Sequence, residues 1–378
     1  MQIELPISKS IANRWLMLQA IHGDELAGSP MALASWGALM PVSADLPEDV
    51  QILHRALTTL KTFRTSETLS TPHINVGNCG TAMRFLTAYC AQLEGQTTIL
   101  DGVERMHHRP IGQLVDALRE IGAQIEYLGE EGFPPLRITG KTLDKSKPIT
   151  LNNPQSTQFV SALLLIGANV QTDTTSPYIY ITQEVITQYQ LSPFSYHLSV
   201  EKDWSSAAFW YEYVALHGGE ITLPGLFRDS LQGDKVVADI FAHLGVQTEY
   251  TAEGIILSPT ANSEASNSPL SGRPIAAQAA SRSKILIQDF GSCPDLYPAV
   301  ALTCECLGIE LHAAGVESLP LKESDRLRAV REHRTDADHR MAMALLIAGY
   351  EVDDTACISK SYPQFLEQFH RMNTLKLQ

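Results

Sequence analysis

Residues 101–127 read DGVERMHHRPIGQLVDALREIGAQIEY, and residues 223–250 read LPGLFRDSLQGDKVVADIFAHLGVQTEY. When Tyr127 is aligned on Tyr250, five more positions are identical without a gap. These pairs are Gly102 and Gly225, Asp116 and Asp239, Gly122 and Gly245, Gln124 and Gln247, and Glu126 and Glu249. A gap-free repeat of this length indicates that one structural unit is built at least twice in the chain.

Each copy of the repeat has the pattern of a strand, a helix and a second strand. The first strand ends at a glycine and a polar turn follows, and the helix stops at Gly122 in one copy and at Gly245 in the other. Apolar residues at helical spacing mark the buried helix face, namely Leu114, Val115 and Leu118, and Val237, Ile240 and Leu244. We therefore predict a β-α-β unit in each copy and an α/β fold.

A third copy begins at Gly315, where the sequence GVE repeats the GVE that begins at Gly102. After Val330, however, no helix-ending glycine and strand follow, and a similar shortfall comes after the helix pattern that ends at Gln190. The repeat units are therefore predicted to be unequal, and two of them are shortened. Residues 259–284 are rich in Ser, Ala, Asn and Pro and lack an apolar period, which predicts a mobile loop.

The composition is that of a globular protein with more than one domain. The chain has 378 residues, of which 44% are hydrophobic and 19% are charged, and at roughly 100–200 residues per domain this length predicts two domains. The longest apolar runs, such as 159–168, are shorter than the ~20 residues of a membrane-spanning helix. Six cysteines without a CxxC pair argue against a disulfide framework and favour a reducing cytoplasm.

The net charge of −14 at pH 7 argues against nucleic acid as a partner, because an acidic surface repels a phosphate backbone. Within this acidic chain, basic side chains recur in the short polar segments that precede helix patterns. We interpret these basic residues as parts of a focused anion site.

Three polar turns in the first half of the chain each precede an apolar helix pattern. They read SKSIANR at 8–14, GNCGTAMR at 77–84 and NNPQSTQF at 152–159. Backbone N–H groups at a helix start suit a phosphate or a carboxylate, Gly80 permits close approach, and Lys9 and Arg14 add positive charge. Each turn alone is explained equally well by ordinary helix capping through Ser or Thr.

The second half of the chain repeats this pattern. Asp295 follows a proline at the entry to an apolar helix, KESDR occupies 322–326, DHR occupies 338–340, and Lys360 precedes a last helix. An acid at a helix start is a cap, or a general base where a ligand hydroxyl faces it. Six or seven such turns on a repeated unit are difficult to explain by capping alone.

Metal and nucleotide sites have no support in the sequence. Cys304 and Cys306 lie in an apolar helix pattern in which residues two apart face different directions, so core packing is the better interpretation. His107 and His108 lack further ligands at zinc spacing. Neither GxGxxG nor GxxxxGK[ST] occurs. We therefore predict no bound metal, and a nucleotide cofactor has no support in the sequence.

These motifs, in their order along the chain, resemble the 5-enolpyruvylshikimate-3-phosphate synthase family. The matching segments are SKSIANR, GNCGTAMR, RPIGQLVDALREIGA, STQF, KESDR, DHRMAM and KSYPQF, which extend from residue 9 to residue 365. The resemblance implies two similar domains of repeated β-α-β-α-β-β units around an interdomain cleft, an inside-out α/β barrel. It places residues 8–202 in the first domain, and residues 1–7 with 203–378 in the second.

The resemblance also implies the reaction. The enolpyruvyl group of phosphoenolpyruvate is transferred to the 5-hydroxyl of 3-phosphoshikimate, and phosphate is released through a tetrahedral intermediate. This step belongs to the shikimate pathway, which leads to chorismate and the aromatic amino acids. The family resemblance implies a cytoplasmic monomer without a metal or organic cofactor, whose partners are these two small molecules.

Roles follow from the resemblance, motif by motif. Asp295 is implied to accept the proton of the attacking hydroxyl, Glu323 to deliver and later remove the methylene proton, and Lys9 to be a third catalytic residue. The residues implied to bind the substrates are Lys9, Ser10, Arg14, Asn78, Gly80, Arg109, Ser156, Thr157, Gln158, Tyr178, Asp295, Lys322, Arg326, Arg340 and Lys360. Those implied to surround phosphoenolpyruvate are Gly80, Arg109, Arg326, Arg340 and Lys360.

The chain departs from the family pattern at a few positions. Thr157 stands where serine is usual but keeps the hydroxyl group. Phe85 stands where proline often follows the arginine, on the helix that tunes discrimination against the inhibitor glyphosate. Gly80, the residue expected of sensitive forms, is retained, so we expect altered but not abolished sensitivity. Every implied catalytic position survives outside the missing segments of the shortened units, and we expect a compact but active enzyme.

Two other interpretations stay open. A sister enzyme of the same fold acts on a UDP-amino sugar, but it typically presents a reactive cysteine in a flexible loop, and KESDR and DHRMAM fit the shikimate enzyme better. The other interpretation is a catalytically silent, shortened relative that binds an anion or a partner protein. The intact Asp295, Glu323, Lys9 and Lys360 argue against this second alternative.

Overall fold

The computed structural model describes residues 1–25, 46–65, 70–191, 201–260 and 284–376. The chain separates into two compact units. The N-terminal unit contains the described residues of Lys9–Ser43 and Glu48–Val200, and the C-terminal unit contains those of Met1–Ser8, Ala44–Pro47 and Glu201–Gln378. The first eight residues therefore belong with the second half of the chain.

The N-terminal unit begins with two helices and continues with one complete repeat. Its elements are α1 (Lys9–Glu25), α2 (Glu48–Thr65), β1 (His73–Asn75), α3 (Gly80–Ala91), β2 (Thr97–Asp101), α4 (Gly112–Glu120), β3 (Gln124–Tyr127) and β4 (Leu136–Thr139). The strand order is β1-β2-β4-β3, in which β1 is parallel to β2, and β4 is antiparallel to both of its neighbours. The segment from β1 to β4 is the β-α-β-α-β-β unit expected from the sequence.

A second repeat in this unit is described as far as the end of its second helix. Its elements are β5 (Ile149–Thr150), α5 (Thr157–Leu165), β6 (Val170–Gln171) and α6 (Pro177–Leu191), and the two strands form a parallel pair. The helix predicted to end near Gln190 is confirmed. The predicted shortening of the repeat after this helix concerns residues 192–200, which lie outside the described residues. Most of the predicted loop at 259–284 lies outside them as well.

The C-terminal unit contains the second copy of the quoted repeat. Its elements are α7 (Trp204–His217), β7 (Ile221–Pro224), α8 (Val237–His243), β8 (Val246–Tyr250) and β9 (Gly254–Pro259). The strand order β7-β9-β8 reproduces the order β2-β4-β3 of the first copy, and the predicted apolar helix faces are buried in both. The start of the chain joins this sheet, because Gln2 pairs in parallel with Thr222.

The last repeat is a shortened unit. Its elements are β10 (Ile285–Asp289), α9 (Tyr297–Leu307), β11 (Glu310–Ala314) and α10 (Arg326–Glu332), and they are followed by α11 (His339–Ala348) and α12 (Phe365–Lys376). The two strands form a parallel pair. Residues 333–338 lead from α10 to α11 without a strand. The predicted loss of the strands after Val330 is confirmed.

A tight turn replaces the missing strands. His333, Asp336 and Ala337 have positive φ angles in this turn. The His333 ring stacks on Tyr350 with 4.0 Å between centroids, and its Nε2 lies 2.8 Å from Glu305 Oε1, the same oxygen that accepts the Tyr350 hydroxyl at 2.7 Å. These contacts fasten the turn to α9.

Glycines follow the second strand of two repeats because the backbone there has no room for a side chain. A Cβ atom on Gly102, directly after β2, would lie 2.6 Å from the Gly77 carbonyl oxygen. A Cβ atom on Gly315, directly after β11, would lie 2.8 Å from the Gly291 Cα, and the φ of Gly315 is +65°. Close approach therefore explains why the GVE motif begins with glycine.

The described residues contain neither a disulfide bond nor a helix that could span a membrane. All six cysteines are free. Cys304 is buried in α9 and Cys306 is partly exposed, as predicted for residues that face different directions. Within the described ranges, no helix is long and apolar enough to cross a membrane.

Helix α7 lies in the core of the C-terminal unit and carries a buried acid. All of its residues from Trp204 to Leu216 are buried. Glu212 is 0% exposed, and neither carboxylate oxygen has a hydrogen-bond partner among the described residues. Burial raises the pKa of Glu212 well above its usual value, so that the side chain is a neutral acid.

We expect Glu212→Gln to increase stability more at high pH than at low pH. In the unfolded chain this carboxyl ionises above a pKa of about 4.3, whereas the folded state holds it protonated. Below that pH the carboxyl is protonated in both states, so its ionisation does not change the free energy of unfolding. Above it, keeping the carboxyl protonated in the folded state lowers the free energy of unfolding by up to about 1.4 kcal/mol per pH unit, until the pKa of the folded state is reached.

Chemical unfolding of the wild type and of Glu212→Gln at pH 5, 6, 7 and 8 measures this effect. Glu253→Gln, on an exposed turn between β8 and β9, is the matched control and should change stability equally at every pH. A stability difference for Glu212→Gln that does not change with pH would show that the buried carboxyl is already charged.

Candidate functional site

Three helix starts of the N-terminal unit carry residues predicted from the polar turns. Helix α1 begins at Lys9, α3 at Gly80 and α5 at Thr157. Ser156 is the N-cap of α5, and its hydroxyl accepts a hydrogen bond from the Gln158 N–H at 3.3 Å. Capping therefore accounts for the position of Ser156 in this structure.

Side-chain contacts join these helix starts to one another. The Gln158 amide donates to the Thr81 hydroxyl at 2.9 Å, which links α5 to α3. Lys9 Nζ lies 3.2 Å from Asp49 Oδ2, which links α1 to α2. Asp49 is buried and was not predicted, because an acid in the first turn of a helix is too common to indicate a site.

Arg14 is the buried centre of the N-terminal set. Its guanidinium donates to the hydroxyls of Thr182 at 2.7 Å and Ser161 at 3.2 Å. It also donates to the carbonyl oxygens of Ser10 at 2.7 Å and Tyr178 at 3.0 Å. Burial lowers the pKa of Arg14 to about 10, which still leaves it charged at neutral pH. Arg14 thus fixes the backbone at two other predicted residues.

The departure at Phe85 also involves Arg14. Phe85 is buried on α3, and the guanidinium carbon of Arg14 lies 5.6 Å from the centroid of its ring. An aromatic face at this distance stabilises a cation. The phenylalanine therefore supports Arg14 from the neighbouring helix.

Two arginines crowd around Gly80 at the start of α3. Arg84 Nη1 donates to the Gly80 carbonyl oxygen at 3.1 Å, and Arg109 Nη1 donates to the Asn78 carbonyl oxygen at 3.3 Å. A Cβ atom on residue 80 would lie 2.5 Å from Arg84 Nη1 and 2.7 Å from Arg109 Nη2. Glycine at this position lets both guanidinium groups approach a helix start, an arrangement suited to an anion.

In the C-terminal unit, one arginine joins three carboxylates. Arg326 is the first residue of α10, and its side chain is 1% exposed. Its Nη1 donates to Asp295 at 2.8 Å, its Nη2 to Glu323 at 3.1 Å, and its Nε to Asp338 at 2.8 Å. The two acids implied to be catalytic therefore meet on a single guanidinium.

Three more cations complete what we call the acid–base cluster. Arg340 Nη2 donates to Asp295 Oδ2 at 2.9 Å, and Lys322 Nζ lies 3.7 Å from Asp295 Oδ1. Lys360 Nζ donates to Glu323 Oε1 at 3.1 Å. The members of the cluster are Asp295, Lys322, Glu323, Arg326, Asp338, Arg340 and Lys360. All six residues predicted in the second half of the chain belong to it.

Asp338 organises the cluster, although its motif gave it no role beforehand. It is fully buried as the N-cap of α11, where Oδ1 accepts the Arg340 N–H at 2.9 Å. Its Oδ2 accepts the Ser324 hydroxyl at 3.2 Å as well as Arg326 Nε. An aspartate before a helix is fully explained by capping, so the sequence carried no signal for the second contact.

Two acids of the cluster, Asp295 and Glu323, reach solvent, and the arginines that hold them do not. The side chains of Asp295 and Glu323 are 15% and 12% exposed, against 1% for Arg326 and Arg340. Burial alone would lower the pKa of both arginines, but the carboxylates raise it above its usual value. Burial lowers the pKa of Lys322. The two partly exposed acids of the cluster are thus held by buried, positively charged side chains.

A further carboxyl group, Asp234, lies beside the cluster. It is 5% exposed in the turn before α8, and its Oδ2 accepts a hydrogen bond from the Ser205 hydroxyl. Its Oδ1 has no hydrogen-bond partner among the described residues. Burial and then the negative charge of Asp295 raise the pKa of Asp234 to about 7. Sequence reasoning missed Asp234 because an acid in a polar turn is usually solvated.

The predicted histidines have ordinary partners. His107 Nε2 lies 2.8 Å from Asp101 Oδ1, and His108 Nδ1 lies 3.0 Å from the Glu104 carbonyl oxygen. In the part of the chain that the structure describes, no three His, Cys, Asp or Glu side chains are grouped to hold a metal ion. The positive charge near the acids is supplied by lysine and arginine side chains.

Comparison with known proteins relates nearly the whole chain to one family. The model for EPSP synthase (3-phosphoshikimate 1-carboxyvinyltransferase) matches residues 1–189, 166–333 and 329–369. A 3-phosphoshikimate 1-carboxyvinyltransferase of Bacteroides fragilis is 34% identical across 98% of this chain and 94% of its own. One from Vibrio cholerae is 28% identical across 98% and 96%. The Bacteroides alignment extends over 431 positions, more than this chain has residues, so that relative contains stretches that this chain lacks.

A solved structure supports the architecture. An EPSP synthase from Acinetobacter baumannii superposes with a TM-score of 0.62 over 98% of this chain and 95% of that chain, at 19% sequence identity. At this identity the likeness concerns the fold alone. The predicted α/β fold built from repeated units is confirmed.

We expect Arg326→Lys to lower the free energy of unfolding by about 3 kcal/mol. Lysine cannot present three donors in one plane, so at least one buried carboxylate loses its charged hydrogen bond, and each such bond is worth about 1.5–3 kcal/mol. Urea unfolding measures the loss. Arg328→Lys is the matched control, because Arg328 lies on the same helix, is 52% exposed and pairs with Asp336 at 3.2 Å. Its cost should stay below about 1 kcal/mol, and equal losses for the two variants would contradict the central position of Arg326.

Proposed function

Because this chain belongs to the EPSP synthase family, we propose that its acid–base cluster performs the proton transfers of that family's reaction. The chain is a 3-phosphoshikimate 1-carboxyvinyltransferase, an enzyme of the shikimate pathway. It transfers the enolpyruvyl group of phosphoenolpyruvate to the 5-hydroxyl of 3-phosphoshikimate and releases phosphate. The observation that carries the residue assignment is the meeting of Asp295 and Glu323 on Arg326.

The reaction needs a base, an acid and several cations. In the addition step, the 5-hydroxyl loses its proton and its oxygen bonds to C2 of phosphoenolpyruvate while C3 gains a proton. In the elimination step, C3 loses a proton and the C2–phosphate oxygen bond breaks, which regenerates the double bond. Proton transfer by positioned carboxyl groups contributes about 10²–10⁴-fold to such a rate, and fixed cations stabilise the charged intermediate.

Asp295 is the proposed base for the hydroxyl, and Glu323 is the proposed acid and base at the methylene carbon. Both side chains are partly exposed, while the arginines that hold them are buried. Each acid is therefore held by cations at both carboxylate oxygens and still reaches solvent. Lys322 and Lys360 supply positive charge directly next to these acids.

Phosphoenolpyruvate is the more demanding ligand, because a carboxylate and a phosphate must lose water together. Arg326, Arg340 and Lys360 are its proposed partners in the C-terminal unit. In the N-terminal unit we assign Gly80 and Arg109 to the same substrate. The buried Nε of Arg109 has no hydrogen-bond partner among the described residues, which is consistent with a donor that a ligand satisfies.

The N-terminal unit is the proposed 3-phosphoshikimate side, and we equate the two units with the two domains of the family. The proposed contacts are Lys9, Ser10, Arg14, Asn78, Ser156, Thr157, Gln158 and Tyr178. Arg14 supports this assignment because it is a buried cation whose hydrogen-bond partners are all neutral. A dianionic ligand would balance its charge.

We further propose a cytoplasmic monomer that needs no metal or organic cofactor. Its six free cysteines are buried or half-buried, which fits a reducing compartment. The lysines and arginines of the acid–base cluster occupy the place that a metal ion would take in neutralising an anionic substrate.

We expect Asp295→Asn and Glu323→Gln each to lower the rate of phosphate release by about 10²–10⁴-fold, because an amide cannot exchange the required proton. Phosphate release from phosphoenolpyruvate is measured with and without 3-phosphoshikimate. Glu332→Gln, at the exposed end of α10, is the control and should keep the wild-type rate.

The possible results separate the interpretations. Release that needs both substrates and falls in the two variants supports the reaction and its acid–base assignment together. Full release in both variants contradicts the assignment alone. No release from folded, monodisperse wild type would favour a silent, anion-binding relative.

We expect Gly80→Ala to raise both the KM for phosphoenolpyruvate and the inhibition constant of glyphosate by about tenfold or more. The added methyl group would displace Arg84 and Arg109, and loss of one charged hydrogen bond costs about 1.5–3 kcal/mol. Gly112→Ala is the control, since α4 also begins with this glycine and its Cβ would come no closer than 3.4 Å to other atoms. An inhibition constant unaffected by Gly80→Ala would contradict the proposed anion contact.

A further inference from the structure

Two buried hydroxyl groups, those of Thr182 and Ser161, hold the side chain of Arg14. Both residues are 0% exposed. The Thr182 hydroxyl accepts the Nε–H of Arg14 at 2.7 Å, and the Ser161 hydroxyl accepts an Nη2–H at 3.2 Å. The two hydroxyl oxygens lie 2.8 Å from each other. They therefore form a pair that contacts two of the three nitrogen atoms of one guanidinium group.

The hydroxyl pair joins three helices at Arg14. Arg14 lies on α1, Ser161 on α5 and Thr182 on α6. Thr182 is one turn beyond Tyr178, whose carbonyl oxygen accepts hydrogen bonds from the Thr182 hydroxyl at 2.7 Å and from Arg14 Nη2 at 3.0 Å. The guanidinium group and the first turn of α6 are thus fixed to each other.

The hydrogen-bond partners of Arg14 among the described residues are all uncharged. Besides the two hydroxyls they are the carbonyl oxygens of Ser10 and Tyr178, and the ring of Phe85 lies 5.6 Å from the guanidinium carbon. A carboxylate in the place of one hydroxyl would also hold the guanidinium, but it would cancel most of its charge. A hydroxyl group holds the side chain and leaves its positive charge available to a ligand.

The charge of Arg14 acts from a buried position. The residue is 2% exposed, and each of its three guanidinium nitrogen atoms donates to a protein oxygen. A buried charge is poorly screened by water, so it acts on an anion over several ångströms without direct contact. Whatever fixes the guanidinium group therefore also fixes where its charge acts.

We propose that Thr182 and Ser161 are positioning residues that make this site prefer an anion, because they hold Arg14 in place without neutralising it. The proposal rests on the proposed function, in which the N-terminal unit binds 3-phosphoshikimate. The alternative is a buried polar contact that only stabilises the unit, as hydroxyl groups in a core commonly do. The two interpretations differ in the substrate affinity that they predict for neutral and for charged replacements of Thr182.

The dissociation constant of 3-phosphoshikimate, measured by calorimetry, tests the positioning role. We expect Thr182→Val to raise it about tenfold or more, the equivalent of one hydrogen bond to a charged group. Thr182→Ser keeps the hydroxyl and should stay close to the wild type. Thr187→Val is the matched control, because Thr187 is exposed on the same helix and donates to the Gln183 carbonyl oxygen at 3.0 Å, the same one-turn contact.

Steady-state rates separate positioning from general damage to the unit. In Thr182→Val the KM for 3-phosphoshikimate should rise about as much as the dissociation constant, whereas kcat and the KM for phosphoenolpyruvate should stay near their wild-type values. This split is expected when an interaction that is equal in the ground state and the transition state is lost. Ser161→Ala provides a second variant should Thr182→Val fail to fold, and it should show the same split.

Thr182→Asp and Thr182→Asn test the importance of a neutral partner. The two replacements have nearly the same size and both accept a hydrogen bond from Arg14, but only aspartate neutralises the guanidinium group. We expect Thr182→Asp to bind 3-phosphoshikimate about tenfold or more weakly than Thr182→Asn, because one negative charge next to a buried cation is worth at least that factor. A role in stability alone predicts no such difference between the two folded variants.

The outcomes distinguish this proposal from the proposed function. Unchanged affinity in Thr182→Val and Ser161→Ala, a fall in kcat as large as the rise in KM, or equal affinity of Thr182→Asp and Thr182→Asn would each overturn the proposal. Binding of a single substrate does not require turnover. A wild type that binds 3-phosphoshikimate but releases no phosphate would therefore count against the proposed function alone, and a wild type without affinity for 3-phosphoshikimate would overturn both.

Discussion

Arg326 holds three carboxylates with one guanidinium group, and the acid–base cluster depends on that contact. Acids so close together in a buried place can stay charged only beside compensating cations. Because each of the three donor positions faces a different acid, Asp295, Glu323 and Asp338 are fixed relative to one another. These acids come from different turns of the shortened unit and its surroundings, so the guanidinium also fixes the helix starts that follow them. The cations that then add charge where Arg326 cannot reach are Lys322, Arg340 and Lys360.

The N-terminal unit uses a buried arginine in the opposite electrostatic setting. Arg14 contacts hydroxyls and carbonyl oxygens, and burial lowers its pKa. Arg326 contacts carboxylates, and its pKa is raised despite equal burial. Among the described residues, one unit therefore holds a cation that is hydrogen-bonded to no acid, while the other holds cations and acids in near balance. This difference fits the division of labour that we propose, in which one unit binds a phosphorylated ligand and the other exchanges protons.

The repeat and the motifs predicted much of the fold and most of the cluster, since both depend on local signals. Gly102 and Gly315 are required by backbone contacts, so the GVE motif located the second strand of two units. The order of the strands in each sheet could not be predicted from the sequence. The positions of β4 and β9 between two earlier strands depend on pairing partners that are distant in the chain. Asp49, Asp338 and Asp234 were not predicted as site residues, for a related reason. Each looks like a cap or a turn residue, and only tertiary packing shows that it is buried beside a cation or another acid.

The turn at 333–338 shows that this repeat is modular. It takes the place of an antiparallel strand pair, and it is closed by His333, Tyr350 and Glu305. Every member of the acid–base cluster except Asp338, the last residue of the turn, lies on the strand-helix part of the unit or beyond the turn. The strand pair is thus a separable part of the repeat: the two parallel strands and both helices are kept where it is absent, and a few side-chain contacts close the chain in its place. A length of sheet is replaced here by a six-residue connection between two helices.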